Sequence, residues 1–140
     1  MSMIDASMIQ TSMIETSTAA ALTRFLDVNV ARSKLTMANM ANVDTPGYHT
    51  RDLDFHAEMN RADMSATAEG QPAGLEYAAF APVGRLVRGL VERPDGNNVS
   101  VERESLLLAE TQMKFNLGVQ LLKDEFHTIS QAINSGGTSS

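Results

Sequence analysis

The 140-residue chain contains no cysteine and no tryptophan, and aromatic residues make up only 5% of it. Without cysteine it can form neither disulfide bonds nor thiolate metal sites. Large aromatic side chains supply much of the apolar area of a thick core, and here they are scarce. The composition therefore favours helices packed along their length over a compact globular domain.

A surplus of positive charge and a long apolar run are missing as well. The formal net charge is −6 at pH 7, which argues against nucleic acid as a partner because phosphate binding needs a basic face. No stretch approaches the roughly 18 to 20 apolar residues that span a bilayer, and the N-terminus lacks the features of a cleaved signal peptide. We expect no membrane span, and either a cytoplasmic chain or export without cleavage.

The chain begins with a Ser-Met-Ile unit that recurs at intervals of five residues, starting at Ser2, Ser7 and Ser12. Five residues advance about 140° around a helix, so these units cannot all share one helix face. We interpret residues 1–17 as a mobile tail, or as sequence upstream of the true start. A methionine-rich binding segment that becomes ordered on contact is the alternative.

A helical pattern follows over residues 18–43. Its repeating positions alternate between intervals of three and four, which is the spacing of one helix face. This face consists of Phe25, Val28, Arg32, Leu35, Asn39 and Asn42. Because it includes an arginine and two asparagines, it is not a purely apolar seam. Pro46 then prevents the helix from continuing.

The clearest predicted element is a helix over residues 100–134, with Ser100 able to cap its start. Ten positions follow alternating intervals of four and three, and eight of the ten are apolar, which predicts a packing seam. The seam consists of Val101, Ser105, Leu108, Gln112, Phe115, Val119, Leu122, Phe126, Ile129 and Ile133. We interpret residues 135–140 as a flexible tail.

Between the helices, residues 44–99 form an irregular region. Residues 59–74 are small and polar, which is typical of loop or disorder, and residues 75–91 are compatible with short strands. Pro94-Asp95-Gly96-Asn97 is a strong turn signal. The predicted fold class is mainly α, with two long terminal helices and a small irregular or β central region.

No residues have the spacing of a catalytic or metal site. His49, His56 and His127 are far apart, and Asp52 and Asp54 lack the further ligands of a calcium loop. Phosphate-binding loops and nucleophile elbows are also absent from the sequence. We therefore expect no enzyme, no cofactor and no metal.

The most informative stretch joins the end of the first helix to a Pro-Gly turn. Asn39 and Asn42 lie one helical turn apart, and we expect their amides to bind a neighbouring helix or the returning loop, the alternative being plain exposure. Tyr48 would anchor the loop, and its hydroxyl would find a partner. The predicted assembly loop consists of Asn39, Asn42, Thr45, Pro46, Gly47, Tyr48, Arg51, Asp52, Asp54 and Phe55.

Residues 39–48, Asn-Met-Ala-Asn-Val-Asp-Thr-Pro-Gly-Tyr, resemble the N-x-A-N-x-x-T-P-G-Y signature of the axial proteins of the bacterial flagellum, which form the rod, the hook and the hook-associated structures. The Arg-Asp-Leu-Asp-Phe sequence at 51–55 and the Pro-Asp-Gly-Asn-Asn-Val sequence at 94–99 resemble the B-type proximal rod proteins. The C type is the alternative, but residues 115–118 depart from its usual Tyr-x-Ala-Asn pattern.

The resemblance implies a structural protein of the flagellar basal body that serves motility and has no catalytic activity. In this family the terminal helices pair as an antiparallel coiled coil, subunits stack into a hollow shaft, and the assembly loop makes contacts between subunits. Export through the flagellar type III gate, without cleavage, would deliver the chain to the periplasmic rod. Expected partners are further copies, other rod subunits, the membrane ring and the export-gate adaptor protein. A helical-hairpin adaptor or export chaperone that never polymerises is the alternative.

Overall fold

The computed structural model describes residues 6–66 and 81–136, and side chains within 17–64 and 81–135. Its elements are α1 (Ala6–Ala41), β1 (Arg51–Asp52), α2 (Phe55–Ala66), β2 (Arg85–Leu86) and α3 (Val101–Gly136). The two short strands pair antiparallel. The predicted fold class is confirmed: two long terminal helices flank a small central region. None of the helices in these ranges is long and apolar enough to cross a membrane.

The two long helices pack against each other in opposite directions. Asn39, near the end of α1, donates a hydrogen bond from Nδ2 to Oε2 of Glu104, in the first turns of α3, over 2.9 Å. Farther along, Gly118 of α3 lies against Phe25 and Leu26 of α1. The structure therefore has the antiparallel helical hairpin that the resemblance implied.

The first helix begins earlier than the sequence pattern predicted. It starts at Ala6 rather than at residue 18, so residues 6–17 are helical instead of forming a separate tail. That stretch contains neither glycine nor proline, the two residues that end helices most strongly. Residues 1–5, also assigned to the tail, lie outside the described residues.

A third helix, α2, occupies part of the region that was predicted to be irregular. Asp54 caps it, since Oδ1 accepts a hydrogen bond from the backbone N–H of Ala57 over 3.0 Å. Phe55 packs edge-on against Phe25 of α1, with 5.4 Å between the ring centroids. The expectation of loop from residue 59 was thus wrong up to Ala66, because a capped start and an aromatic anchor outweigh the polar composition. Residues 67–80 lie outside the described part of the chain.

The face of α3 that packs on α1 matches the predicted seam at every second position. Leu108, Phe115, Leu122 and Ile129 are partly buried, as expected. At the alternate seam positions, the buried residue stands one place earlier in the chain than the residue that the pattern predicted. Glu104, Thr111 and Gly118 are buried, whereas the predicted Ser105 and Gln112 are exposed and Val119 is only partly buried.

Three further seam residues were placed wrongly within the single chain. Val101, Phe126 and Ile133 are 48%, 57% and 70% exposed. The 3–4 spacing selected them because they are apolar, but such spacing does not fix which of two adjacent positions the partner helix covers. On α1 the predicted seam holds better: Val28 is fully buried, and Phe25 and Leu35 are partly buried.

Gly118 provides a direct test of this packing. A Cβ atom at this position would lie 2.8 Å from Cδ2 of Leu26 and 3.0 Å from Cδ1 of Phe25. Gly118→Leu should therefore lower the free energy of unfolding by roughly 1 to 3 kcal/mol through overpacking, although leucine favours a helix over glycine by about 1 kcal/mol. Urea unfolding followed by circular dichroism measures the change.

The control is Gln112→Leu, at a position that the sequence pattern placed in the seam and the structure exposes. It should change the free energy of unfolding by no more than about 0.5 kcal/mol. Equal losses in the two variants would contradict the observed seam.

Candidate assembly site at the loop end of the hairpin

Asn39 lies at the centre of the loop end and is only 1% exposed. Its Nδ2 donates to the backbone oxygen of Arg51 over 2.7 Å and to Oε2 of Glu104 over 2.9 Å. Its Oδ1 accepts from the backbone N–H of Arg51 over 3.0 Å and from the hydroxyl of Tyr48 over 3.1 Å. A side-chain amide offers two donors and two lone pairs, so this buried amide is fully satisfied and joins α1, the loop and α3.

Asn42 ends α1. Its Nδ2 donates to the backbone oxygen of Ala38 over 2.8 Å, and its Oδ1 accepts from the hydroxyl of Thr45 over 3.1 Å. The backbone oxygen of Ala38 also accepts from the backbone N–H of Asn42 over 3.2 Å, so the side chain adds a second hydrogen bond to this carbonyl near the helix end. The two asparagines therefore both bind backbone groups, and Asn39 binds the returning loop as expected.

A second loop, residues 93–99, holds the loop at residues 42–50 through hydrogen bonds. Asn97 is fully buried, and its Nδ2 donates to the backbone oxygens of Asn42 and Thr45 over 2.9 and 2.8 Å. Oδ1 of Asn98 accepts from the backbone N–H of Thr50 over 2.7 Å. The Thr-Pro-Gly motif and the Pro-Asp-Gly-Asn motif thus form one interlocked unit.

Two glycines make the contact between these loops possible. Gly47 and Gly96 have φ angles of +73° and +78°, a region that side chains other than glycine rarely enter. The N–H of Gly47 donates to the backbone oxygen of Asp95 over 2.8 Å. A Cβ atom on Gly96 would come within 3.3 Å of the Cα of Gly47, so the loops approach each other backbone to backbone.

A charged cluster lies behind the loops. Asp52 accepts from Nε and Nη2 of Arg32 over 3.0 and 3.1 Å, and from Nη2 of Arg103 over 3.1 Å. Arg103 also pairs with Glu104, which is fully buried. The chain of contacts from Arg32 through Asp52, Arg103 and Glu104 to the amide of Asn39 connects α1, β1 and α3.

The charges around Asp52 change its pKa. Burial by itself would raise the pKa of this carboxyl group, but the hydrogen bond and charge of Arg32, the N–H of Leu53 and the charge of Arg103 outweigh it, so the pKa lies below the ordinary value. The same pairing raises the pKa of Arg32. Both side chains are therefore charged at neutral pH.

The predicted assembly loop divides into an inner and an outer set. Asn39, Asp52 and Phe55 pack or bind within the chain, as described above. Tyr48 is partly buried, and Asp54 is exposed but caps α2. The outer set is exposed and consists of Thr45, Pro46, Gly47 and Arg51. The loop is thus held from behind and presents its tip to solvent.

Sequence reasoning missed several residues of this site. Asn97 and Asn98 belong to the turn motif, but nothing in their spacing showed that they bind a loop some 50 residues earlier. Glu104 lies in the first turn of α3, and nothing in its position indicated a bond to Asn39. Arg32 carried a usable signal, because a charged residue inside a helix seam requires a partner. Within the described ranges no cluster of histidine and carboxylate side chains suits a metal ion.

The hairpin and its interlocked loops define a mainly helical protein built on two long antiparallel helices. No protein-family model matches the chain, but several curated proteins do. The flagellar basal body rod protein FlgB of Cereibacter sphaeroides is 34% identical over 106 residues, which cover 73% of this chain and 82% of that protein. The FlgB proteins of Salmonella typhimurium and Escherichia coli (strain K12) are 27% and 25% identical over 122 residues, 79% of this chain and 88% of each relative.

The chain belongs to the FlgB family of flagellar basal body rod proteins. It is accordingly a structural protein of the flagellum, located in the basal body and serving motility, as the sequence resemblance implied. As a rod protein it interacts with other components of the basal body.

The central amide can be tested by Asn39→Ala. The substitution removes four hydrogen bonds and leaves buried backbone and carboxylate groups without partners, so the free energy of unfolding should fall by roughly 2 to 5 kcal/mol. Asn60→Ala, on the exposed side of α2, is the control and should cost no more than about 0.5 kcal/mol. Urea unfolding of both proteins compares them, and similar midpoints would contradict the role of Asn39.

The charged cluster predicts a pH dependence. Because the pKa of Asp52 is lowered, its stabilisation is complete above the ordinary pKa of 3.8 and is lost as the pH falls through the folded-state pKa. Asp52→Asn should therefore lower the Tm at pH 7, and its difference from the unaltered chain should shrink below about pH 4. Differential scanning calorimetry from pH 7 to pH 2 measures this.

Asp27 supplies the opposite control, since burial raises its pKa. Asp27→Asn should raise the Tm at pH 7, because it removes a charge that burial disfavours. This gain should shrink as the pH falls and Asp27 becomes protonated in the unaltered chain. A Tm difference for Asp52→Asn that stays constant down to pH 2 would show that the carboxylate charge does not stabilise the fold.

Proposed function

We propose that the chain is a self-assembling subunit of the proximal rod, joined to its neighbours through its terminal helices and its assembly loop. The observation that carries this proposal is the loop itself, which is rigidly held yet exposed at its tip. Its partners are further copies, other rod subunits, the membrane ring and the export-gate adaptor protein. The chain reaches the periplasmic rod by the flagellar type III route without cleavage.

The way the loop is held favours docking over a purely connecting role. The backbone groups of Asn42, Thr45, Gly47 and Thr50 are bound by the second loop. A loop that is already ordered in the free chain loses less conformational entropy on binding. The Thr-Pro-Gly tip is therefore organised before any partner arrives.

The composition of the tip suits a protein surface as its partner. Pro46 restricts the backbone and offers an apolar ring, and the exposed Arg51 provides a positive charge on a chain of net charge −6. Neither residue is needed for the hydrogen bonds that hold the loop, apart from the backbone of Arg51. An adaptor that binds only through its helices has no need of such a tip, so substitutions there separate the two functions.

Pro46→Arg tests the docking role in cells that lack the unaltered chain. The side chain is exposed and makes no hydrogen bond, so expression, the Tm and the amount of exported protein should stay close to those of the unaltered chain. Rod formation and swimming should be lost, because the arginine obstructs the surface that meets the neighbour. Electron microscopy of isolated basal bodies and motility in soft agar are the measurements.

The matched control is Gln131→Arg, which adds the same exposed charge near the far end of α3. It should support swimming. Motile cells with normal rods in the Pro46→Arg strain would refute the docking role of the loop and favour an adaptor that binds through its helices.

A further inference from the structure

The outer face of α3 carries a stripe of exposed apolar side chains. Leu106 and Met113 are each 71% exposed, Leu117 is 57% exposed and Leu121 is 45% exposed. At 100° per residue the four fall within an arc of about 80°, and Met113 lies about 160° around the helix from the buried Thr111. We call these four residues the α3 stripe. Exposed apolar side chains aligned in this way offer a surface for a protein partner.

The outer face of α1 carries a matching feature. Val30 and Met37 are 38% and 51% exposed, and they lie about 160° and 180° around the helix from the fully buried Val28. They are seven residues apart, as are Leu106 and Met113. We call Val30 and Met37 the α1 pair. The exposed Lys34 lies between them and forms no ion pair among the described residues.

The register of the hairpin places the α3 stripe and the α1 pair at the same level along the hairpin axis. Asn39 is level with Glu104, and Phe25, 14 residues earlier, is level with Gly118, 14 residues later. By the same register Met37 is level with Leu106, and Val30 is level with Met113. Within one chain both features lie off the α1–α3 contact, and Met37 and Met113 lie most nearly opposite to it.

We propose that the α3 stripe of one copy receives the α1 pair of a second copy placed beside it at the same height. This rests on the proposed self-assembly and names the surfaces that carry it. Lys34 of the second copy then lies level with Ala109, beside Glu110, whose side chain is 44% exposed and pairs with Lys114 of its own chain. Apolar side chains thus meet apolar ones, and Lys34 adds a second cation beside this acidic group.

The contact joins two different surfaces, so it does not close on itself as a twofold dimer does. A contact of this type repeats from one copy to the next and produces rings or helical assemblies. Each copy carries a net charge of −6, but the contact brings few like charges together because the apposed groups are mainly apolar.

Cysteine cross-linking tests the contact directly, because the natural chain contains no cysteine. Met37→Cys and Leu106→Cys are produced together, as separate chains, in cells that lack the unaltered protein. Isolated basal bodies are oxidised with copper phenanthroline and run on a non-reducing gel. A disulfide-linked dimer of the two variants is expected. The control pairs Met37→Cys with Ile133→Cys, since Ile133 is 70% exposed, close to the 71% of Leu106, but lies off the stripe.

A second experiment does not depend on disulfide geometry. Leu106→Gln combined with Met113→Gln should reduce the number of rods per cell by at least about tenfold, equivalent to 1.4 kcal/mol of lost contact. Phe126→Gln combined with Ile133→Gln, at comparably exposed positions off the stripe, should not. Circular dichroism verifies that both variants keep the helix content of the unaltered chain.

Each outcome separates this inference from the function on which it rests. Basal bodies that contain the chain but give no Met37–Leu106 cross-link, together with normal rods in the stripe variant, would overturn the contact and leave the rod function standing. An equally strong cross-link to Ile133→Cys would also overturn it, because the contact would not be selective. Absence of the unaltered chain from basal bodies would overturn both.

Discussion

The loop end of this protein depends on one side-chain amide. Asn39 is buried and makes four hydrogen bonds, which reach Tyr48, both backbone groups of Arg51 and the carboxylate of Glu104. Through them a single residue of α1 fixes the path of the returning loop and the position of α3. A buried amide costs free energy unless it is bonded, so any arrangement that buries Asn39 without these partners is penalised.

Polar contacts carry much of this structure because its apolar core is small. Among the described residues, the buried apolar side chains are Val28, Leu53, Ala62 and Val99, whereas nine buried residues are polar or charged. Hydrogen bonds are directional and apolar contacts are not. A protein held in this way has a precisely placed loop end, and it leaves apolar side chains on its outer faces, where a neighbouring subunit in a rod can cover them.

The sequence predicted the parts of the structure that rest on local signals. The long helices, the turn at Pro94 and the partnered amide of Asn39 follow from periodicity, turn chemistry and polar residues inside a helix face. The sequence pattern identified every second residue of the α3 seam correctly. At the positions between, it favoured an apolar residue such as Val119, whereas the close packing of the two helices requires the neighbouring Gly118. The sequence did not predict the hydrogen bonds from Asn97 to the first loop or the bond between Glu104 and Asn39. Both join residues more than 50 positions apart in the chain.

Amide hydrogen exchange on the dilute, unassembled chain tests most directly whether the loop end is ordered before assembly. The backbone N–H groups of Thr50, Arg51 and Val99 are bound by side-chain oxygens of Asn98, Asn39 and Asn97. If the loops are interlocked in the free chain, these amides exchange as slowly as those in the first turns of α3. If they exchange at the rate of an unfolded chain while the helices are protected, the loop end is not ordered in advance, and a preformed docking loop held by Asn39 is contradicted.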